Sequence, residues 1–295
     1  MIFTTTKATA VFAAIIIGGL TVSTWCAAQM TDDSREALYF FDVGQGDSSL
    51  IVTAGGEKIL IDGGPSGSKL RRNLDAVLGA ARPYIDVLIL THPQQDHFAG
   101  YIDLVREYGV GAFIWSGRGA ETEAFTALTS ALDASAVPRV VVSAGDAIIL
   151  ADSQLSILGP HPSQLGSKNL NDTSVVALFK SAHISALYTG DIGFRDEVQL
   201  RRQYDVDVDI LKVAHHGSRF SSDTGFLSEA TPALAIIEVG KNRYGHPTLE
   251  TLQRLKASGA ETLRTDLAGT IKIQKAPAGY AVYTERWPKD TPFPF

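Results

Sequence analysis

Three apolar runs in this chain end in polar clusters of one chemical kind. Val87-Leu88-Ile89-Leu90 leads into Thr91-His92-Pro93-Gln94-Gln95-Asp96-His97, the run up to Tyr188 into Thr189-Gly190-Asp191, and the run up to Val213 into Ala214-His215-His216-Gly217. Short apolar runs bounded by turn-forming residues read as buried strands. If each cluster closes a strand, several imidazoles and carboxylates can converge at one sheet edge, which is how a hydrolytic metal centre is assembled.

The rest of the chain alternates in the same style. Leu38 to Val43, Ser49 to Thr53 and Lys58 to Ile61 read as strands separated by Gly-rich turns and predict an antiparallel meander. Helical periodicity follows at Lys69 to Leu78, Gly100 to Tyr108 and Glu121 to Leu132, with strands at Arg139 to Ser143, Ala147 to Leu150 and Leu155 to Leu158. The second half predicts strands at Ser174 to Phe179, Ile184 to Tyr188, Val208 to Val213, Ala233 to Val239, Thr262 to Arg264 and Thr270 to Gln274. Its helices are expected at Asp196 to Gln203 and Pro247 to Ala257. Two strand-rich halves, each accompanied by helices, predict an α/β fold of αββα type, a four-layer sandwich of two mixed β-sheets flanked by helices.

The N-terminus carries Lys7, an apolar run from Ala8 to Val22, and small residues at Ala27-Ala28, the layout of a signal peptide over residues 1–28. A single hydrolase domain is expected over 29–295, secreted or periplasmic; an uncleaved segment would instead anchor the chain at the membrane. Cys26 is the one cysteine. Cleavage after Ala28 removes it, leaving no disulfide and no thiolate ligand, so any metal must be held by His, Asp and neutral oxygen or amide groups. The formal charge of −6 becomes −7 when Lys7 leaves with the signal. That balance excludes a broadly basic, nucleic-acid-coating surface but not a nuclease, because bound cations can supply the positive field.

Seven segments in order carry a family resemblance: Phe41 to Ser48, Leu60 to Gly64, Thr91 to Gly100, Asn171 to Ser174, Leu187 to Asp191, Leu211 to Ser218 and Asn242 to Pro247. They resemble the metallo-β-lactamase superfamily and, within it, the hydrolase domain of the ComEC competence proteins, over roughly residues 37 to 275. A free-standing hydrolase domain is expected, without the membrane channel of ComEC.

The resemblance implies one or two divalent ions, zinc or manganese, held by His92, Asp96, His97, Asp191, His215 and His216. Asp96, His97 and a histidine of the His215-His216 pair would form one site, with Asp191 bridging to the other. His215, nearest the end of its strand, is expected as the ligand, and His216 as a further ligand or a donor behind it. In the superfamily the motif usually reads His-x-His-x-Asp-His; here the second position is Gln94, a neutral group and a poor transition-metal ligand. Asn171 and Ser174 stand where relatives place a third histidine, and could bind a substrate oxygen or cap a turn. Asp42, Asp47 and Asp62 read mainly as structural carboxylates that accept N–H groups or orient histidines.

Asp96 is expected to handle the proton of an activated water, and His246, before a helix, to bind phosphate or protonate the leaving group. Ser218 could also touch phosphate. The expected activity is metal-dependent hydrolysis of a phosphodiester, DNA or a nucleotide, with no stable protein partner implied. Two alternatives remain open: a carbonyl-directed hydrolase of lactones, thioesters or β-lactams, and a degenerate, metal-poor binding domain.

Overall fold

The computed structural model describes residues 2–4, 36–79, 84–276 and 279–286. Of the expected signal peptide only Ile2–Thr4 falls among them, as strand β1, so its cleavage lies outside the described residues.

The first half builds one sheet. β2 (Ala37–Phe40), β3 (Ser49–Val52) and β4 (Lys58–Ile61) form the expected antiparallel meander. Through α1 (Gly67–Leu78), β5 (Tyr84–Leu90), α2 (Gln95–Glu107), β6 (Gly109–Trp115), α3 (Glu123–Ala134) and β7 (Arg139–Val141), the sheet then grows by parallel pairing.

The second half repeats this plan. β8 (Ala147–Ile149), β9 (Ser153–Gly159), β10 (Val176–Ser181) and β11 (Ser185–Tyr188) are antiparallel neighbours. α4 (Phe194–Gln203), β12 (Ile210–Lys212), α5 (Thr224–Ala230), β13 (Leu234–Ile237), α6 (Leu249–Ser258) and β14 (Glu261–Arg264) add the parallel part. After α7 (Thr265–Ala268), β15 (Ile271–Ala276) and β16 (Gly279–Thr284) return beside β2. The orders are β16-β15-β2-β3-β4-β5-β6-β7 and β1-β8-β9-β10-β11-β12-β13-β14.

Period-two alternation sorts the strand residues into layers. In β4, Ile59 and Ile61 join Phe40, Ile89, Phe179, Ile210 and Ile236 in the core between the sheets. Leu60, on the opposite face, packs with Leu70, Leu74, Phe98, Tyr101 and Phe125 of α1, α2 and α3. Leu187 and Leu211 face outward to Leu200, Phe226 and Leu255 of α4, α5 and α6. Each such fully buried side chain contributes about 1.5–3 kcal/mol. The four-layer sandwich expected from the sequence is therefore the fold observed.

Five elements escaped the sequence reading, β1, β6, α5, α7 and β16, and several boundaries moved, that of α2 the most. β6 contains Gly109 and Gly111, which depress strand propensity; a Cβ at Gly111 would meet the Asp86 carbonyl at 2.5 Å, so bareness there allows the strands to pair closely. α5 has only seven residues, and β16 lies at the end of the described chain. α2 starts at Gln95 rather than Gly100, because polar Gln95, Asp96 and His97 hide its first turn from an apolar pattern. Among the described residues no helix is long and apolar enough to cross a membrane.

Candidate metal centre

The polar clusters meet where the carboxyl ends of β4, β5, β11, β12 and β13 face one another across the two sheets. His92 follows β5, Asp96 and His97 occupy the first turn of α2, Asp191 follows β11, and His216 lies in a turn after β12. His92, His97, Asp191 and His216 are buried, with His97 fully so.

Hydrogen bonds behind the rings fix which nitrogen each histidine presents. His97 Nδ1 is 2.8 Å from Asp62 Oδ2, and a carboxylate can only accept, so Nδ1 carries the proton. His216 Nδ1 donates to the Glu238 carbonyl at 2.9 Å. Thr91 Oγ1 spends its own hydrogen on Asp62 Oδ2 at 2.7 Å, and therefore accepts from His92 Nδ1 at 3.0 Å. All three imidazoles thus aim a bare Nε2 at the same space. Those three Nε2 atoms and Asp191 Oδ1 are buried without a hydrogen-bond partner, an arrangement that costs free energy unless a ligand satisfies it.

A metal ion fits this donor set. Asp191 Oδ2 lies 3.5 Å from His97 Nε2, 3.6 Å from His216 Nε2 and 3.9 Å from His92 Nε2. Those separations are long for hydrogen bonds but near the about 3.4 Å between tetrahedral ligands each about 2.1 Å from zinc. Among the described residues four groups have ligand atoms within 4.8 Å of one another; two triads, His92–His97–Asp191 and Asp96–His97–His216, overlap at His97, and the other two bring in Asp47, with Asp191 and His216 or with Asp62 and His97. Asp96 Oδ2 is 3.3 Å from His216 Nε2.

The electrostatics call for a cation. Burial alone would lower the pKa of His97, yet the charges of Asp191, Asp62 and Asp47 drive it well above the ordinary value. His216, subject to the same contest with Asp191 and Asp47, is raised to about 10. His92, where burial dominates and His97 adds repulsion, falls to about 3. The negative field that raises His97 and His216 is one a divalent ion would relieve.

His215 and His216 exchange the ranks expected of them. Both adopt left-handed backbone, φ 52° for each, at a cost of about 1–2 kcal/mol per residue. The double reversal turns His216 inward and leaves the His215 side chain 31% exposed, its Nε2 3.9 Å from Asp191. His215 lies outside the triads; it faces Asn171 and, edge-on, the His246 ring at 5.4 Å.

The other expected residues divide between cleft and scaffold. Gln94 Nε2 donates to Asn171 Oδ1 at 2.7 Å, so the two neutral amides satisfy each other at the edge of the centre. Ser174 Oγ accepts the Asp191 amide at 3.2 Å and holds that loop instead of lining the cleft. Ser218 is buried, its hydroxyl accepting the Phe220 amide, which places it away from a substrate. Asp42 turns to the Gly44 amide and Arg286, and orients no histidine of the centre. Asp62, by contrast, supports His97 and Thr91 together.

A buried charge system behind the centre went unread in the sequence. Lys212, the last residue of β12, is 3% exposed and forms an ion pair with Asp47 while donating to the Gly190 carbonyl at 3.2 Å. Asp47 Oδ1 in turn lies 3.1 Å from His216 Nδ1. Glu238, just after β13, accepts from the Ser48 amide and the Ser49 hydroxyl, both at 2.9 Å; burial and then Asp47 raise its pKa to about 8. The available signal was a charged residue closing an otherwise apolar central strand. Gly46 brings the Asp47 loop in: at φ +137° it lies so near the Asp96 carbonyl that a Cβ would come within 2.2 Å.

Above the centre lies an open cleft of about 500 Å³ lined by Gln45, Pro65, Gln94, Asn171, His215, Tyr244 and His246, with Asp96, Asp191 and His216 in its floor. Burial, then repulsion from His215 and His216, pushes the His246 pKa down to about 4. Its imidazole is therefore neutral near pH 7.

Comparison with known proteins agrees with this geometry. Residues 41–257 match the family model of the metallo-β-lactamase superfamily. ComE operon protein 3 of Bacillus subtilis is 33% identical over 193 residues, 64% of this chain, and Recombination protein 2 of Haemophilus influenzae is 28% identical over 236 residues, 79% of this chain. The chain spans only 24% and 28% of the lengths of those relatives. Among solved structures, the metallo-β-lactamase fold protein YhfI of Bacillus subtilis superposes with a TM-score of 0.54 at 12% identity, covering 81% of this chain and 100% of its own. CmlA, a diiron β-hydroxylase from Streptomyces venezuelae, gives 0.54 at 13% identity, over 82% of this chain and 54% of its own. These two likenesses concern the fold alone. Superfamily members usually hold one or two metal ions, and the two triads fit that use. The family match over most of the chain and the histidine–aspartate centre at the joined sheet edges lead to one assignment: the chain belongs to the metallo-β-lactamase superfamily of hydrolases.

Proposed function

We propose that the protein is a metal-dependent phosphodiesterase acting on a nucleic acid or nucleotide, exported from the cytoplasm by its N-terminal segment. The observation that carries the hydrolytic part is the convergence of three unpartnered Nε2 atoms and the Asp191 carboxylate on the floor of an open cleft. Recombination protein 2 and a further match, Competence protein ComA of Neisseria gonorrhoeae, 27% identical over 246 residues, bear recombination and competence in their names, which favours a nucleic-acid phosphodiester.

His92, His97, Asp191, Asp96 and His216 would hold the ion, zinc or manganese. Bound there, it would supply Lewis acidity toward a phosphoryl oxygen and bring the pKa of water toward neutrality. The chain's own groups supply the remaining chemistry. Asp96 is part-exposed to the cleft. Burial would raise its pKa, but His216 beside it and the His97 charge lower it to about 2, so it is ionised and can accept a hydrogen bond from the attacking water. His246, neutral, offers an N–H to a phosphate oxygen or leaving group. Asn171 and Gln94, tied together, present polar edges that orient the substrate.

Elemental analysis of protein purified without chelator should find one or two ions per chain, and bis(p-nitrophenyl) phosphate should turn over with zinc or manganese. Asp191→Ala should lose metal and turnover together. Absence of turnover with either ion, alongside hydrolysis of a lactone or thioester, would move the reading to a carbonyl-directed enzyme. A metal-free chain inactive on both would be a binding domain.

A further inference from the structure

Tyr244 is an anomaly among the aromatic side chains of this protein. It lines the cleft and yet leaves 74% of its surface exposed. Its loop is nevertheless fixed: the Asn242 carboxamide accepts the Tyr244 and His246 amides at 3.0 and 3.1 Å and donates to the Gly240 and His246 carbonyls at 2.9 and 2.8 Å. Four backbone groups thus hold the loop in place before any ligand arrives. A solvent-facing aromatic on a fixed loop at the rim of a cleft is placed to receive another ring.

Rings also run without a break from the centre to this rim. His216 and His215 are 6.2 Å apart between centroids, His215 and His246 5.4 Å, and His246 and Tyr244 5.8 Å. A phosphate seated between the centre and His246 therefore has Tyr244 one ring away, where the base of the same nucleotide can lie. The chain carries a formal charge of −6, and uncharged amides, imidazoles and a tyrosine border its cleft. An acidic protein with such walls gains less from surface charge than basic binders do. Stacking on an aromatic face supplies affinity that does not depend on charge and tolerates any base.

We propose that Tyr244 is a stacking platform for a nucleobase of the substrate, which makes the cleft selective for nucleoside phosphodiesters over simple ones. This rests on the phosphodiesterase reading and specifies its substrate. Only the ring is required, so Tyr244→Phe retains the platform and Tyr244→Ala removes it.

The test is calorimetric binding to the full chain, with manganese or zinc supplied, of a hydrolysis-resistant phosphorothioate thymidine dinucleotide and of its abasic analogue of equal charge. Wild type should bind the base-bearing ligand about tenfold more tightly or better. Tyr244→Ala should erase most of that preference, and Tyr244→Phe should keep it. A wild type without base preference, or a preference that survives Tyr244→Ala, overturns the platform. Turnover of bis(p-nitrophenyl) phosphate is scored separately: turnover without base preference removes the platform alone, whereas base preference without turnover removes the hydrolytic reading and leaves the platform standing. Running the ribo and deoxyribo dinucleotides side by side tells an RNA source from a DNA source.

Discussion

Lys212 and Asp47 form the buried ion pair on which the centre leans, and its removal is best judged one partner at a time. Lys212→Met leaves Asp47 buried and charged without its lysine, a change that costs about 3–5 kcal/mol. Urea unfolding should show that loss, and adding Asp47→Asn should restore part of it. A second substitution that restores nothing would mean the pair is not the source. The chemistry of His92, His97 and Asp191 was legible because those residue types follow apolar runs and have few other reasons to gather there. Lys212 and Glu238 were not, since a charge at a strand end ordinarily reaches water and only the second sheet covers these two. Nor could the order of His215 and His216 be read: distance from the strand favours His215, but two successive left-handed residues decide which ring turns inward.

The position of α2 decides where Asp96 and His97 stand, and one glycine lets it come close. A Cβ at Gly100 would meet the Gly63 carbonyl at 2.0 Å, so Gly100→Ala must push the helix off its strand neighbours. The expected cost is about 1–3 kcal/mol, typical of overpacking, with weaker metal binding because two ligands sit on the helix's first turn. Gly166→Ala, where a Cβ meets nothing within 4 Å, is the control that should change neither stability nor metal content; equal effects from both would discard the close-packing argument. Most elements could be read from periodicity alone, including the meander and every crossover helix but α5. The start of α2 could not, because the residues that make it useful are polar and interrupt the pattern that reveals helices.

Across the whole molecule the centre is shared. The first half brings His92, Asp96 and His97, and the second brings Asp191 and His216. An ion held by both halves binds the folded chain and not the unfolded one. At a hundredfold excess over its dissociation constant it adds about 2.7 kcal/mol, or roughly 5–10 °C in melting temperature for a chain of this size. Thermal melts with zinc and with chelator should show that gap, and Asp191→Ala should abolish it; a melting temperature indifferent to chelator would argue against a resident ion. The hydrogen bond from Gln94 to Asn171 meanwhile stitches the two halves at the mouth of the cleft with an uncharged contact. Ions then arrive at a finished seat instead of gathering loose loops around themselves. Loading can then follow folding, the assembled chain waiting until an ion diffuses in.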